Sequence, residues 1–243
     1  MHIQLLVVGI VATIVFLILR IKKGGLPAAV AKTCASVLFI LTGLASAMDA
    51  MPYFKKVVIG YANFNPWVLL YIAGLVCALL GDLFLDLKYV YLEDSDTHTY
   101  LGMVFFLATQ IFYFIGAFNV FRWGSNLTYI YIAIAVTAIF ELVILFGERK
   151  LLKVKFGKFK AISAVYSGAL AFTTTFTICC AFATGFSTGA LMMAAGQVFF
   201  LISDLILSGT YFGVGKNTKK HVLWNHILYY LAQFLIATAI YYI

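Results

Sequence analysis

The stretch "ALLGDLFLDLKYV" (residues 78–90) puts two aspartates, Asp82 and Asp86, at the end of a long apolar run. Residues spaced i and i+4 share one face of a helix, so both carboxylates point the same way. Burying charge among apolar groups is costly, and it persists where a partner, a cavity or a chemical task demands it. The surroundings decide which setting this is. Of 243 residues, 64% are hydrophobic and 11% charged, against about 25% charged in an ordinary soluble domain. The apolar runs approach or exceed the roughly 20 residues that a helix needs to cross a bilayer. They are continuous rather than alternating, which selects helices over a closed barrel. The expected fold is an all-α polytopic membrane protein, one integral membrane domain over residues 1–243.

Eight spans are expected, at 3–20, 27–48, 66–87, 100–121, 127–146, 160–183, 187–209 and 224–242. The first lacks a basic leader and a small-residue cleavage site, so it reads as retained. The net charge of +8 is better explained by orientation than by nucleic acid. Eight spans put both termini on one side. That side carries Lys55, Lys56 and Arg122. The other carries Arg20, Lys22, Lys23, Lys88, Arg149, Lys150, Lys153, Lys155, Lys158, Lys160, Lys216, Lys219 and Lys220. Three against thirteen makes the basic loops cytoplasmic and the termini external. The basic loop between spans 5 and 6 would also attract anionic lipid. Cys34, Cys77, Cys179 and Cys180 all fall in apolar segments without metal-ligand spacing and read as small core residues.

Setting "GLVCALLGDLFL" (74–85) above "GQVFFLISDLIL" (196–207) aligns Gly, Val, Leu, Asp, Leu and Leu at a constant offset of 122. That is about half the chain. A parallel duplication of a four-helix unit is expected, with halves 1–124 and 125–243. Asp82 and Asp204 then occupy matching depths in spans 3 and 7.

The ionisable residues inside spans are Lys32, Asp82, Asp86, Glu141 and Asp204. On the expected topology all five lie toward the cytoplasmic side, as though around one cavity. Gln110, Tyr113, Tyr166, Tyr229, Tyr230 and Gln233 are candidates for its lining. Blander readings exist for several of them. Asp86 would serve as an interfacial span end, and Glu141 as a structural partner for a neighbouring helix or for Lys32. His98, His221 and His226 fall in loops or at a helix start. No HExxH, GxSxG, Walker or Rossmann pattern occurs, so chemistry here would rest on carboxylates, with no metal or cofactor expected.

The stretches "GDLFL" (81–85), "YLGMVFFLATQIFY" (100–113), "GQVFFLISDLIL" (196–207) and "LYYLAQFLI" (228–236) resemble, in order and spacing, the YhhN-like family. That family of integral membrane proteins includes the lysoplasmalogenases of animals. The resemblance spans helices 2 to 8, and Lys32 falls where the family tends to carry a lysine. It departs at Gln110, where histidine is usual, at Lys32-Thr33, and in the acidic "YLEDSDTHTY" (91–100). The resemblance implies a membrane-bound hydrolase of lysophospholipid vinyl ethers, set in a bacterial plasma membrane, with Asp82 and Asp204 as catalytic carboxylates. Lys32, Asp86, Gln110, Tyr113, Glu141, Tyr166, Tyr230 and Gln233 would contact substrate, Lys32 as a phosphate contact. Two rival classes stand beside it: a proton-coupled transporter, and a non-enzymatic lipid-binding protein. Against a transporter, Pro27, Pro52 and Pro66 all sit near span ends rather than breaking helices. The sequence leaves the oligomeric state open.

Overall fold

In a bilayer each backbone N–H and C=O must find its partner within the chain, and a run of apolar residues meets that demand as a helix. The computed structural model describes residues 1–50, 66–121, 127–147, 153–213 and 217–243. Over these it has eight α-helices: α1 His2–Lys22, α2 Gly25–Ala50, α3 Val68–Leu87, α4 Ser95–Val120, α5 Thr128–Gly147, α6 Lys160–Ala183, α7 Thr188–Phe212 and α8 Lys219–Ala239. All eight are long and apolar enough to cross a membrane. Single 3₁₀ turns precede α6 and follow α8. Lys55, Lys56, Arg122, Arg149, Lys150 and Lys216, on which part of the orientation count rests, lie outside the described residues.

Several helices extend past their apolar runs. α4 begins at Ser95, taking in the polar "SDTHT" (95–99), and α8 begins at Lys219. Hydropathy marks only the part of a helix that is apolar, whereas backbone hydrogen bonding carries it onward into polar surroundings. Asp96 in the first turn of α4 complements the positive end of that helix, and Thr218 caps α8 by accepting from the His221 N–H. Between α1 and α2 the chain reverses through Gly24 and Gly25, with φ of +62° and +54°, a conformation in which Cβ is unfavourable. Pro27 sits in the first turn of α2, where a missing N–H costs nothing.

Neighbouring helices pair as α1 with α2, α3 with α4, α5 with α6 and α7 with α8. Within each half, α2 also packs on α3 and α6 on α7. The halves meet through α4 with α6 and through α8 with α2, contacts that interchange when the halves are exchanged. A duplicated four-helix unit would produce this pattern. α5 packs chiefly on α6, and its buried residues are Ala133, Ile144 and Gly147. The loop after α5 is tied to the end of α7 by a bridge between Val154 and Gly213.

Cysteine placement differs from the expectation. Cys179 and Cys180 are buried, but Cys34 faces outward and Cys77 is half-buried. An apolar outer face is as acceptable to lipid as an apolar core is to protein, so cysteine in a span need not point inward.

Close packing joins α3 to α4. Gly74 takes the Tyr113 ring and Gly81 the Phe106 ring from α4, while Gly102 takes Leu85 and Gly116 takes the Tyr71 ring from α3. Small residues let helices approach in lipid, where no hydrophobic effect drives them together. A Cβ on Gly74 would stand 2.4 Å from the Tyr113 ring. That ring is tethered, because its hydroxyl donates to Gln233 Oε1 at 2.8 Å. Gly74→Ala is expected to lower stability in detergent by about 1–3 kcal/mol, read as a lower melting temperature. At Gly168 the nearest atoms to a new Cβ are 3.7 Å away, so Gly168→Ala is expected to be neutral or stabilising by up to about 1 kcal/mol through helix propensity.

Candidate active site

α3 delivers Asp82 and Asp86 to one face, and α2 meets that face with Lys32 and Ser36, themselves one turn apart. Lys32 Nζ lies 3.0 Å from Asp82 Oδ1 and 3.3 Å from Asp86 Oδ1. Asp86 Oδ2 accepts from Arg20 at the end of α1. Asp82 Oδ2 accepts from the Ser36 hydroxyl at 2.6 Å and from the Tyr229 hydroxyl of α8 at 2.9 Å. Tyr230, the next residue, donates to the Lys32 carbonyl at 3.0 Å. Lys32, Asp82 and Asp86 are each buried. Two cations and two carboxylates from three helices thus form a closed quartet, which α8 joins through the Tyr229 hydroxyl.

Asp204, on α7, stands apart from the quartet. It accepts a hydrogen bond from the Tyr166 hydroxyl of α6 and has no cationic partner among the described residues. Asp82 and Asp204 nevertheless line one small cavity of about 20 Å³, together with Lys32, Ser203, Asn225 and Tyr229. That volume takes a single water molecule. Phe106 and Tyr229 line it, and these two rings meet each other and Phe200 edge to face with centroids 5.5 to 5.9 Å apart. Asn225 is fixed by donating to the Ser203 carbonyl and hydroxyl at 2.9 and 3.0 Å.

Two larger spaces flank this cavity. On one side, between α4, α5, α6 and α7, lies an almost wholly apolar slot of about 70 Å³, with Asp204 and Tyr166 in its wall. On the other, a vestibule of about 430 Å³ is lined by Arg20, Asp86, Tyr211, Lys219 and His226, among others. Leu207 and Tyr211 border all three spaces.

The residues singled out from sequence separate into two groups. Lys32, Asp82, Asp86, Asp204 and Tyr166 gather here, with Tyr230 just behind Lys32. Tyr113 and Gln233 bond each other elsewhere in the core. Gln110 is fully buried against α6, where its carbonyl accepts from Thr173 at 3.3 Å, and its side-chain amide has no partner among the described residues. Glu141 accepts from Ser167 at 2.5 Å and is half-buried between α5 and α6; it does not meet Lys32, which the aspartates occupy. Sequence reading missed Arg20, Ser36, Ser203 and Asn225, and set His226 aside as a loop or helix-start residue. The available signal was periodicity. Ser36 follows Lys32 by four, and Asn225 and His226 precede Tyr229 and Tyr230 by four, each pair sharing a helix face.

These features define a polytopic helical membrane protein with a buried carboxylate centre between an apolar and a polar space. A family model described as the YhhN family matches residues 51–240, and the chain belongs to that family. The match takes in Asp82, Asp86, Asp204 and Tyr229 but begins after α2, so Lys32, Ser36 and Arg20 lie outside it. No curated protein and no solved structure matches the chain.

Removing the shared cation would leave buried carboxylate charge uncompensated. Lys32→Met is expected to destabilise the protein by about 3–5 kcal/mol, measured by thermal unfolding in detergent. Adding Asp82→Asn to it is expected to recover part of that loss, because the orphaned charge is then gone.

Proposed function

We propose that this chain is an intramembrane hydrolase that cleaves the vinyl ether of lysoplasmalogens, the alkenyl-glycerophosphoethanolamines or -cholines, to a fatty aldehyde and a glycerophospho-base. The observation that carries the reading is the place of the small cavity. Both aspartates line it, and it lies between an apolar slot and a polar vestibule. A single-chain amphiphile is divided in the same way, with its reactive ether between tail and head. Membership of the YhhN family supports the reading. On the orientation expected from the charge count, the vestibule faces the cytoplasm.

The chemistry suits two carboxyl groups in different surroundings. Vinyl ethers hydrolyse by protonation at the carbon β to oxygen, which leaves an oxocarbenium ion. Asp204 has one hydroxyl donor, no cation among the described residues, and an apolar wall beside it, so it is the better proton donor. Asp82, with Lys32 and the Ser36 and Tyr229 hydroxyls on its oxygens, serves as the carboxylate that stabilises the cation as it forms. Water in the small cavity adds to the cation and gives its proton to Asp82. The hemiacetal then collapses. Its carbon–oxygen bond to glycerol breaks, the leaving oxygen takes the proton from Asp82, and the hemiacetal hydroxyl returns a proton to Asp204. Substrate plus water becomes aldehyde plus glycerophospho-base, and both carboxyl groups regain their starting states.

Aldehyde release from alkenyl-lysophosphatidylethanolamine and its choline analogue by purified protein in detergent tests this. Wild type is expected to turn over without a membrane gradient. Asp82→Asn and Asp204→Asn are each expected to lose about 10²–10⁴-fold in rate while eluting and melting as folded protein. A folded wild type that releases no aldehyde from either substrate would overturn the reading.

A further inference from the structure

Four parts of the chain build the vestibule, one of them the end of α7 with Leu207, Thr210 and Tyr211. The end of α1 and the turn after it contribute Arg20, Gly24 and Gly25; the end of α3 contributes Asp86 and Tyr89; the start of α8 and the residues before it contribute Asn217, Thr218 and Lys219. Its charge is unbalanced. Among the described residues Asp86 is its one acidic lining residue, and that carboxylate is already shared by Arg20 and Lys32. Lys219 is exposed and has no carboxylate partner among the described residues.

Arg20 is held in a fixed pose. Its guanidinium lies 5.4 Å from the Phe16 ring centre and 5.5 Å from that of Tyr89, and one terminal nitrogen donates to Asp86. Its Nε is buried without a partner among the described residues. A guanidinium so fixed offers donors at little entropic cost. α8 begins at Lys219, so the positive end of its dipole also faces the space. Gly24 and Gly25 leave the floor open, with no atom within 4 Å of where a Cβ would stand on either.

We propose that this vestibule binds a phosphate oxyanion, the head-group phosphate of the lysolipid, through Lys219 and the guanidinium of Arg20. The inference rests on the reading above, which sets the alkyl chain in the apolar slot and so leads the rest of the glycerol into the vestibule. Lys32 is committed to Asp82 and Asp86, so the phosphate falls to the outer cations. A planar fork, an ammonium group and a helix N-terminus together match an oxyanion with several acceptor atoms.

The test is binding rather than turnover. Purified wild type and Lys219→Gln are titrated with three probes: a 1-O-alkyl lysophosphatidylethanolamine, whose saturated ether is not cleaved, the 1-O-alkylglycerol of the same chain length, and inorganic phosphate. Wild type is expected to bind the lysophospholipid about tenfold more tightly than the alkylglycerol, the size of one charge-assisted phosphate contact, and inorganic phosphate more weakly than either. Lys219→Gln, an exposed change, is expected to remove most of the preference and leave alkylglycerol affinity unchanged. Equal affinities in wild type, or a preference that survives Lys219→Gln, would overturn the site. Inorganic phosphate bound as tightly as the lysolipid would overturn the lipid head group as its occupant. Because no probe is hydrolysed, a head-group preference found in a protein that releases no aldehyde would sink the hydrolase and keep the site.

Discussion

Lys32 Nζ reaches Asp82 at 3.0 Å and Asp86 at 3.3 Å from a side chain only 5% exposed. Much of the bundle depends on that ammonium group. In a low-dielectric interior an unpaired carboxylate is costly, and two of them one turn apart repel each other as well. The lysine relieves both costs, and Arg20 brings the quartet to neutrality. Its members come from α1, α2 and α3, while the Ser36 and Tyr229 donors to Asp82 extend the network to α8. A charge network of this kind adds little net stability compared with apolar packing. What it does is fix geometry, since each charge has one arrangement in which all the others are satisfied.

Asp204 lies just outside that arrangement, and the contrast between the two aspartates follows. They sit at equivalent places in the two aligned stretches, yet one has a lysine, a serine and a tyrosine around it and the other a single tyrosine. Two carboxyl groups with different surroundings on one small cavity can divide the tasks of giving and taking a proton. The surrounding rings exclude bulk water, so the electrostatic effect of each group is not diluted. The glycine-and-ring contacts between α3 and α4 help hold Asp82 in register, because neither helix slides along the other without driving a ring into backbone.

The spans and the two aspartates were legible in the sequence because each is a local signal. Long apolar runs have few alternatives in lipid, and a carboxylate within such a run is conspicuous. The faces were not legible. On a soluble helix the polar side shows which side is buried, but here lipid and core are equally apolar and the helix reads much the same all round. Gln110, Tyr113 and Gln233 therefore looked as suited to a cavity lining as Tyr166 did, yet two of them bond each other and the third stands against α6. Ser36 and Asn225 escaped notice for the opposite reason. A small neutral polar residue in a span is common, and its importance comes from a neighbour on another helix. Arg20 was counted as a loop charge, since its role depends on how the α1–α2 turn folds back beside α3.

The slot that faces Asp204 is walled on one side by Phe140 and Ile144 of α5, a helix that leans chiefly on α6. The opposite end of the site is set in charge pairs and close ring contacts. The polar end is thus held by directed bonds and the apolar end chiefly by undirected packing. For the lysolipid proposed above, discrimination should then be sharp in the polar part and lax in the tail, because directed bonds fix position and apolar contacts do not.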